Sequence, residues 1–420
     1  MKKVLLTMAS LVMLVSMTFA QNETPMLPVS HGLTEHQPAW LTAQTFDLAS
    51  GWNWWSTYIN VSGTESLTAL ETVLGENGLT IKAASSFVSN EGGWSGLLTS
   101  IENTSMYAIQ VAEDDEISLS GTRAIITNMP IALQGGWNWV GYPVPFEMPT
   151  AYALSNYTDP QDGEVFKTLG PFVQYDAELG WIGSLDVVQP GKGYKLQRLG
   201  TDFTFYYPTV PASKRAFISS QDATTTEWQP MQASNPNNMN MVAVVSLDDN
   251  ELRGEDVEIG VFNGETCRGA GRLIYVEALD QYLAFLTMYG EENEPFSFRL
   301  LNHETNTVYE SNEASVSFNA DKVIGKVRNP FELKFNSNGH MTAGTLQLFP
   351  NPVNHGENVN LALPENSMTV EVVNVLGSTV KTMRVAQGSN QLSADMAPGI
   401  YTIKVTDAQG KMFVDKLVVK

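Results

Sequence analysis

Alternating apolar and polar positions predict strands over most of the chain. Val257, Ile259 and Val261 alternate with polar neighbours, as do Phe296, Phe298 and Leu300, and Tyr401, Ile403 and Val405. Turn residues bound these runs: "DDNE" at 248–251, "FNGE" at 262–265, Pro398-Gly399 and Gln409-Gly410. Helical spacing is rarer. It predicts one short helix in "SLTALETVL" (66–74) and another in "PTAYALSNY" (149–157).

The pattern repeats. Gly51-Trp52-Asn53-Trp54 aligns with Gly136-Trp137-Asn138-Trp139 at an offset of 85, as do Lys82 with Lys167 and Phe87-Val88 with Phe172-Val173. Two inserted residues later, at an offset of 87, Gly93-Trp94 matches Gly180-Trp181, Gly96 matches Gly183, and Tyr107 matches Tyr194. Each copy is too long for a solenoid unit, so the repetition predicts two copies of one small domain, β or α+β, over 46–126 and 131–206.

The segment 207–230 mixes Pro, Ser and Thr without periodicity and reads as a linker, with Lys214-Arg215 as its protease-sensitive point. An antiparallel β-sandwich is expected over 231–335, followed by a polar hinge at 336–344. The last unit, 345–420, reads as a small all-β sandwich. The expected fold class is therefore mostly β and multidomain.

At the other end, residues 1–20 run from Lys2 and Lys3 through an apolar stretch to Ala20, the layout of a secretory signal peptide, so the mature chain is expected to begin near Gln21 with a lead over 21–45. No later apolar run reaches the roughly 18 to 20 residues that span a bilayer. Cys267 is the only cysteine, so the folds must hold without internal disulfides.

The formal net charge of −21 disfavours nucleic acid as a partner, because phosphate binding needs clustered Lys and Arg. The acid sits upstream, since residues 341–420 hold six basic and six acidic side chains.

The C-terminal unit carries an ordered set of motifs: "LFPNPV" (348–353), "VVNVLGSTV" (372–380), "MAPGIYTIKV" (396–405) and "KLVVK" (416–420). These resemble the type A sorting domain of type IX secretion substrates in Bacteroidota. The motif positions are Phe349, Pro350, Asn351, Pro352, Gly377, Gly399, Tyr401, Lys416 and Lys420. The resemblance implies an Ig-like domain read as an export signal by the type IX machinery, then cut by its C-terminal processing enzyme around 336–346. It also implies attachment to surface lipopolysaccharide or release. The upstream copies are similar to "GWNW" repeats of secreted proteins and antigens in the same bacteria, found beside a sandwich with a Cys-Arg-Gly stretch like Cys267-Arg268-Gly269.

Catalytic chemistry has few starting points. His31 and His36 lie in the lead, His340 in the hinge and His355 in the sorting unit, leaving His303 to pair with Cys267 as thiolate and base. No orienting third residue or oxyanion loop accompanies them. The clusters "EDDE" (113–116) and "DDNE" (248–251) lack the D-x-D-x-D-G spacing of a calcium loop, and "GKG" (191–193) lacks the rest of a phosphate loop. No cofactor or metal site is expected. A carboxylate pair for glycoside hydrolysis is spatial and has no sequence signal.

The tryptophans divide by role. Trp52 and Trp54 share one side of an extended segment and recur as Trp137 and Trp139, as a common core would require. Trp55 is replaced by Val140 in the second copy, which makes it the candidate for an exposed ring. Trp94 and Trp181 sit in "GGWSG" and "LGWIG", where a glycine-flanked turn can display a ring. Trp55, Trp94 and Trp181 are the ligand-binding candidates. The reading that follows is a secreted, cell-surface, non-enzymatic binding or adhesion protein with a glycan or host-protein ligand. Two alternatives stay open: a hydrolase of peptides or glycans, and a self-assembling surface-layer component.

Overall fold

The computed structural model describes residues 42–60, 65–208, 226–254, 256–305, 307–311, 316–336, 340–341, 346–362, 367–384, 390–407 and 412–420. Lys214-Arg215 and the signal and lead segments lie outside the described residues. The fold is mostly β, in several sheets.

The first copy builds a five-stranded antiparallel sheet in the order Gly51–Trp55, Tyr107–Val111, Gly78–Lys82, Phe87–Asn90, Trp94–Gly96. The second builds the same order from Gly136–Val140, Tyr194–Arg198, Val165–Lys167, Phe172–Asp176 and Gly180–Gly183. Between the first two strands in sequence, the chain crosses over through a helix. In the first copy this is Glu65–Leu74, which buries Leu67, Leu70 and Leu74 at helical spacing. In the second it shrinks to one turn, Thr150–Ala153. Flanking strands close each unit: Thr42–Leu48 with Asp115–Arg123 in the first, Ile131–Leu133 with Phe203–Phe205 in the second. Among the described residues, pairing is thus already present at Thr42, ahead of the expected boundary at 46.

Part of the expected linker is packed. Tyr207 is buried in the second copy's core, with its ring 4.8 Å from Phe205. Residues 226–236 lie on the sandwich: buried Glu258 accepts the Glu227 and Trp228 amides at 2.8 and 2.9 Å, and Trp228 meets Phe262 edge-on. A Pro- and Thr-rich run without periodicity can still bind a neighbouring sheet through isolated anchors such as Trp228, which periodicity does not register.

The sandwich strands run from Met239 to Phe335, with turns at 248–251 and 262–265 in which Asp248, Asp249 and Gly264 take positive φ. The long strand Thr266–Val276 pairs with Val257–Asn263 over its first part and Gln281–Met288 over its last, so it turns the corner between the two layers. A core of Met241, Ile259, Val261, Leu286, Phe298, Leu300 and Leu333 lies between them. The pairing is not purely antiparallel: Met239–Leu247 pairs in parallel with Val323–Ile324 and Phe331–Phe335. The expected hinge at 336–344 also contributes, because the backbone of His340–Met341 pairs with Thr307–Glu310.

The C-terminal unit forms two sheets. Gln347–Phe349, Asn358–Ala362 and Asn390–Ser393 make one, and Thr379–Arg384, Ser367–Asn374, Gly399–Asp407 and Met412–Val419 the other. Val359, Val372, Ile403, Val405 and Leu417 fill the space between.

Candidate functional site

The two copies meet through a reciprocal seam. The Ser56 amide donates to the Gly191 carbonyl at 3.4 Å, and its counterpart Gly141 donates to Thr104, the counterpart of Gly191, at 2.9 Å. Trp55 bridges Lys192 while Val140 bridges Ser105, again equivalent pairs. Two like surfaces contacting each other this way form an isologous interface, here within one chain. Close approach explains the glycines: a Cβ on Gly141 would lie 2.3 Å from the Asn103 carbonyl oxygen, and one on Gly193 2.9 Å from the Trp55 carbonyl oxygen. The "GKG" stretch is thus a turn whose backbone docks on the first copy, with Gly193 donating to Trp54 O at 2.9 Å.

Beside the seam, the recurring tryptophans pack between units. Trp52 Nε1 donates to Ser234 O at 2.7 Å and Trp54 Nε1 to Pro236 O at 2.8 Å, which fastens the first copy to the lead into the sandwich. Two fully buried lysines of the second copy face these rings. Lys167 Nζ lies 4.2 Å from the Trp137 ring centroid, and Lys195 Nζ lies 4.9 and 5.1 Å from those of Trp54 and Trp139. Asp321 of the sandwich pairs with both, at 2.9 Å to Lys167 and 2.8 Å to Lys195. Burial pushes Lys167 down to about 7 against the pull of Asp321, and burial lowers Lys195 as well. For Asp321, burial acts upward, but the two ammonium groups outweigh it and hold the carboxyl below its usual range.

A cleft of about 570 Å³ opens above this junction. Its lining includes the largely buried Trp52–Trp55 segment with Gly191 and Gly193, Thr45 and Asp47 from the wall of the first copy, and Ser184, Asp186, Gln189 and Lys192 from that of the second. Apart from Lys192 in the "GKG" turn, no sequence signal marks these wall residues. They come from segments more than 130 positions apart that the seam brings together.

Trp55 corrects the expectation of an exposed ring. It is 1% exposed and packs between Phe46 (5.3 Å) and Tyr107 (6.2 Å), so the ring that the second copy omits fills the first copy's core. It also lines the cleft, and its Nε1 has no hydrogen-bond partner among the described residues. Trp94 and Trp181 are half-buried at the start of edge strands rather than displayed on turns: the Trp94 ring lies over Gly78, and Trp181 lies 5.3 Å from Tyr175. Neither lines the cleft.

Cys267 and His303 do not form a catalytic pair. Cys267 is opposite Phe262, whereas the His303 ring reaches Glu258, four positions away along the same strand, or roughly 13 Å of backbone. His303 Nε2 instead sits 3.3 Å from Glu258, and burial pushes the Cys267 thiol up, away from the thiolate. In "EDDE", Asp114 accepts the Ser50 amide and Asp115 accepts from Asn77. Among the described residues no cluster of three or more His, Cys, Asp or Glu side chains could hold a metal.

Several of the sorting-motif residues meet the final strand, Met412–Val419. Asn351 Nδ2 donates to Lys416 O at 2.6 Å while its Oδ1 accepts the Val418 amide at 3.0 Å, clipping "PNPV" to "KLVVK". Lys420 N donates to Val353 O at 2.8 Å. Gly377 takes φ 83° in a turn whose Asn374 side chain accepts the Leu376 and Ser378 amides. Gly399 pairs with Val419, and Tyr401 donates its hydroxyl to Ala397 O at 2.7 Å. Pro350 and Pro352 flank the clip, and Lys416 is exposed. The side chain of Phe349 lies outside the described residues.

Residues 347–420 match the family model of the secretion system C-terminal sorting domain. The tail is that of a type IX secretion substrate and directs export across the outer membrane to the cell surface or the extracellular space. No helix among the described residues is long and apolar enough to cross a membrane. Among curated proteins nothing matches. Of solved structures, the "Crystal structure of DIP-gamma IG1+IG2" is similar at 11% identity over 44% of this chain and 97% of that chain; its TM-score of 0.13 carries no argument.

Proposed function

We propose that this chain is a non-enzymatic binding or adhesion protein of the cell surface, whose two repeats and sandwich form the part presented to the surroundings. The observation that carries the reading is the cleft between the two copies, on a chain whose tail is an export signal. A concave site of this volume, with a few polar side chains in its lining, has the form of a ligand pocket. The separation of Cys267 from His303 removes the one catalytic pair that residue types suggested.

The sorting domain would engage the type IX machinery and its processing enzyme, leaving the upstream units attached to surface lipopolysaccharide or released. The test is binding of the purified mature chain to glycan and host-matrix arrays. Saturable binding supports the reading; a chain that binds nothing but hydrolyses peptide or glycan substrates overturns it.

A further inference from the structure

We infer that the cleft between the two copies binds a short neutral oligosaccharide. This rests on the binding reading above and names its ligand. Size argues first. A specific protein partner covers about 800 Å² of each surface, whereas the site here is a concavity of about 570 Å³, within the range of pockets that enclose small ligands.

The chemistry of the walls argues next. Asp47, Asp186 and Gln189 offer carboxylate and amide oxygens that accept from hydroxyl groups; Thr45 both donates and accepts; Lys192 donates, while the Ser184 hydroxyl is held by the Phe172 backbone at 3.3 Å. Such a set of mixed partners suits a ligand that carries hydroxyl groups on most of its ring carbons. The charge balance then selects among sugars. Two carboxylates face one ammonium in a chain of net charge −21, so a sialylated, sulphated or uronic glycan would meet repulsion at the site and over the approach to it.

The walls are held in advance of binding. One belongs to the first copy and the other to the second, and the seam from Ser56 to Gly191 and from Gly141 to Thr104 fixes their separation. A preformed site avoids the ordering cost that a loop-built site incurs.

The experiment is calorimetric titration of the mature chain with maltotriose, triacetylchitotriose and mannotriose. Sialyllactose and a heparin disaccharide serve as anionic counterparts, and an array of neutral glycans widens the search. Asp186→Ala and Gln189→Ala change exposed wall residues, while Leu97→Ser changes an exposed residue outside the cleft. The expected result is binding of at least one neutral sugar, weakened tenfold or more by each wall variant and unchanged by Leu97→Ser, with all three variants keeping the parent's unfolding midpoint. Preference for the anionic sugars, or neutral binding untouched by the wall variants, overturns the inference. Capture of a matrix protein without any sugar also overturns it while leaving the surface-binding reading standing; binding of neither class removes both.

Discussion

Lys195 of the second repeat sits 2.8 Å from Asp321 of the sandwich, and the same carboxylate holds Lys167 at 2.9 Å. Both ammonium groups are buried among indole rings, so a single anion offsets two desolvated cations. Removing one partner of a buried pair leaves an uncompensated charge, a loss of about 3 to 5 kcal/mol. Asp321→Ala is expected to lower the urea unfolding midpoint accordingly and to make the junction of repeat and sandwich open to protease. An unchanged midpoint would show that the rings already suffice together with Asn237 Oδ1, which accepts from Lys195 at 3.1 Å, and Asn238 O, which accepts from Lys167 at 3.4 Å.

The same lysines predict a pH dependence. Lys167 titrates at about 7 in the folded chain and near 10.5 unfolded. Between these values the unfolded chain binds the proton that the folded chain has released, so stability rises with pH across that window. Lys195 is shifted in the same direction. Lys167→Met should flatten the rise by at most about 1.4 kcal/mol per pH unit, read from urea midpoints at pH 7, 8 and 9. Equal slopes in variant and parent would refute the assignment.

Trp55 separates burial from binding. Truncating a fully buried tryptophan costs about 3 to 5 kcal/mol, so Trp55→Ala should lower the thermal midpoint strongly. Trp55→Phe keeps an aromatic ring and removes an Nε1–H that has no partner among the described residues, and is expected to cost much less. A mild Trp55→Ala would mean the ring is not part of the core.

The seam tolerates no side chain at Gly141, where a Cβ would lie 2.3 Å from Asn103 O and 2.7 Å from the Ser105 backbone. Gly141→Ala should destabilise by about 1 to 3 kcal/mol, seen as earlier unfolding of the repeats. Gly170→Ala, with open space around it, is the matched control.

For export, deletion of 345–420 should leave the protein in the periplasm. Asn351→Ala removes both hydrogen bonds of the clip at a cost of about 1 to 3 kcal/mol, lowering the melting point of the tail. Appearance of the truncated chain on the cell surface would contradict the assignment of the tail as the export signal.

Much of this was legible along the chain because it depends on neighbours in sequence. Alternation at Val257, Ile259 and Val261 marks a strand wherever it packs, the Leu67, Leu70, Leu74 spacing marks a helix, and the tail motifs stand in order. The repetition at offsets of 85 and 87 pointed to two copies of one small domain, and the two five-stranded sheets share one strand order. What the chain could not state is which faces meet. Phe87 and Phe172 are equivalent positions, yet Phe172 is fully buried 5.7 Å from Phe285 of the sandwich and Phe87 is 51% exposed, because only the second copy docks there. Trp55 reads as dispensable beside Val140 until Phe46 and Tyr107 close around it. The cleft walls, from Asp47 to Asp186, carry no local signature, since their proximity is produced by a seam of backbone hydrogen bonds between distant segments. Local pattern follows from each residue's own preference for water or core; assembly follows from shape and charge that only the folded surfaces possess.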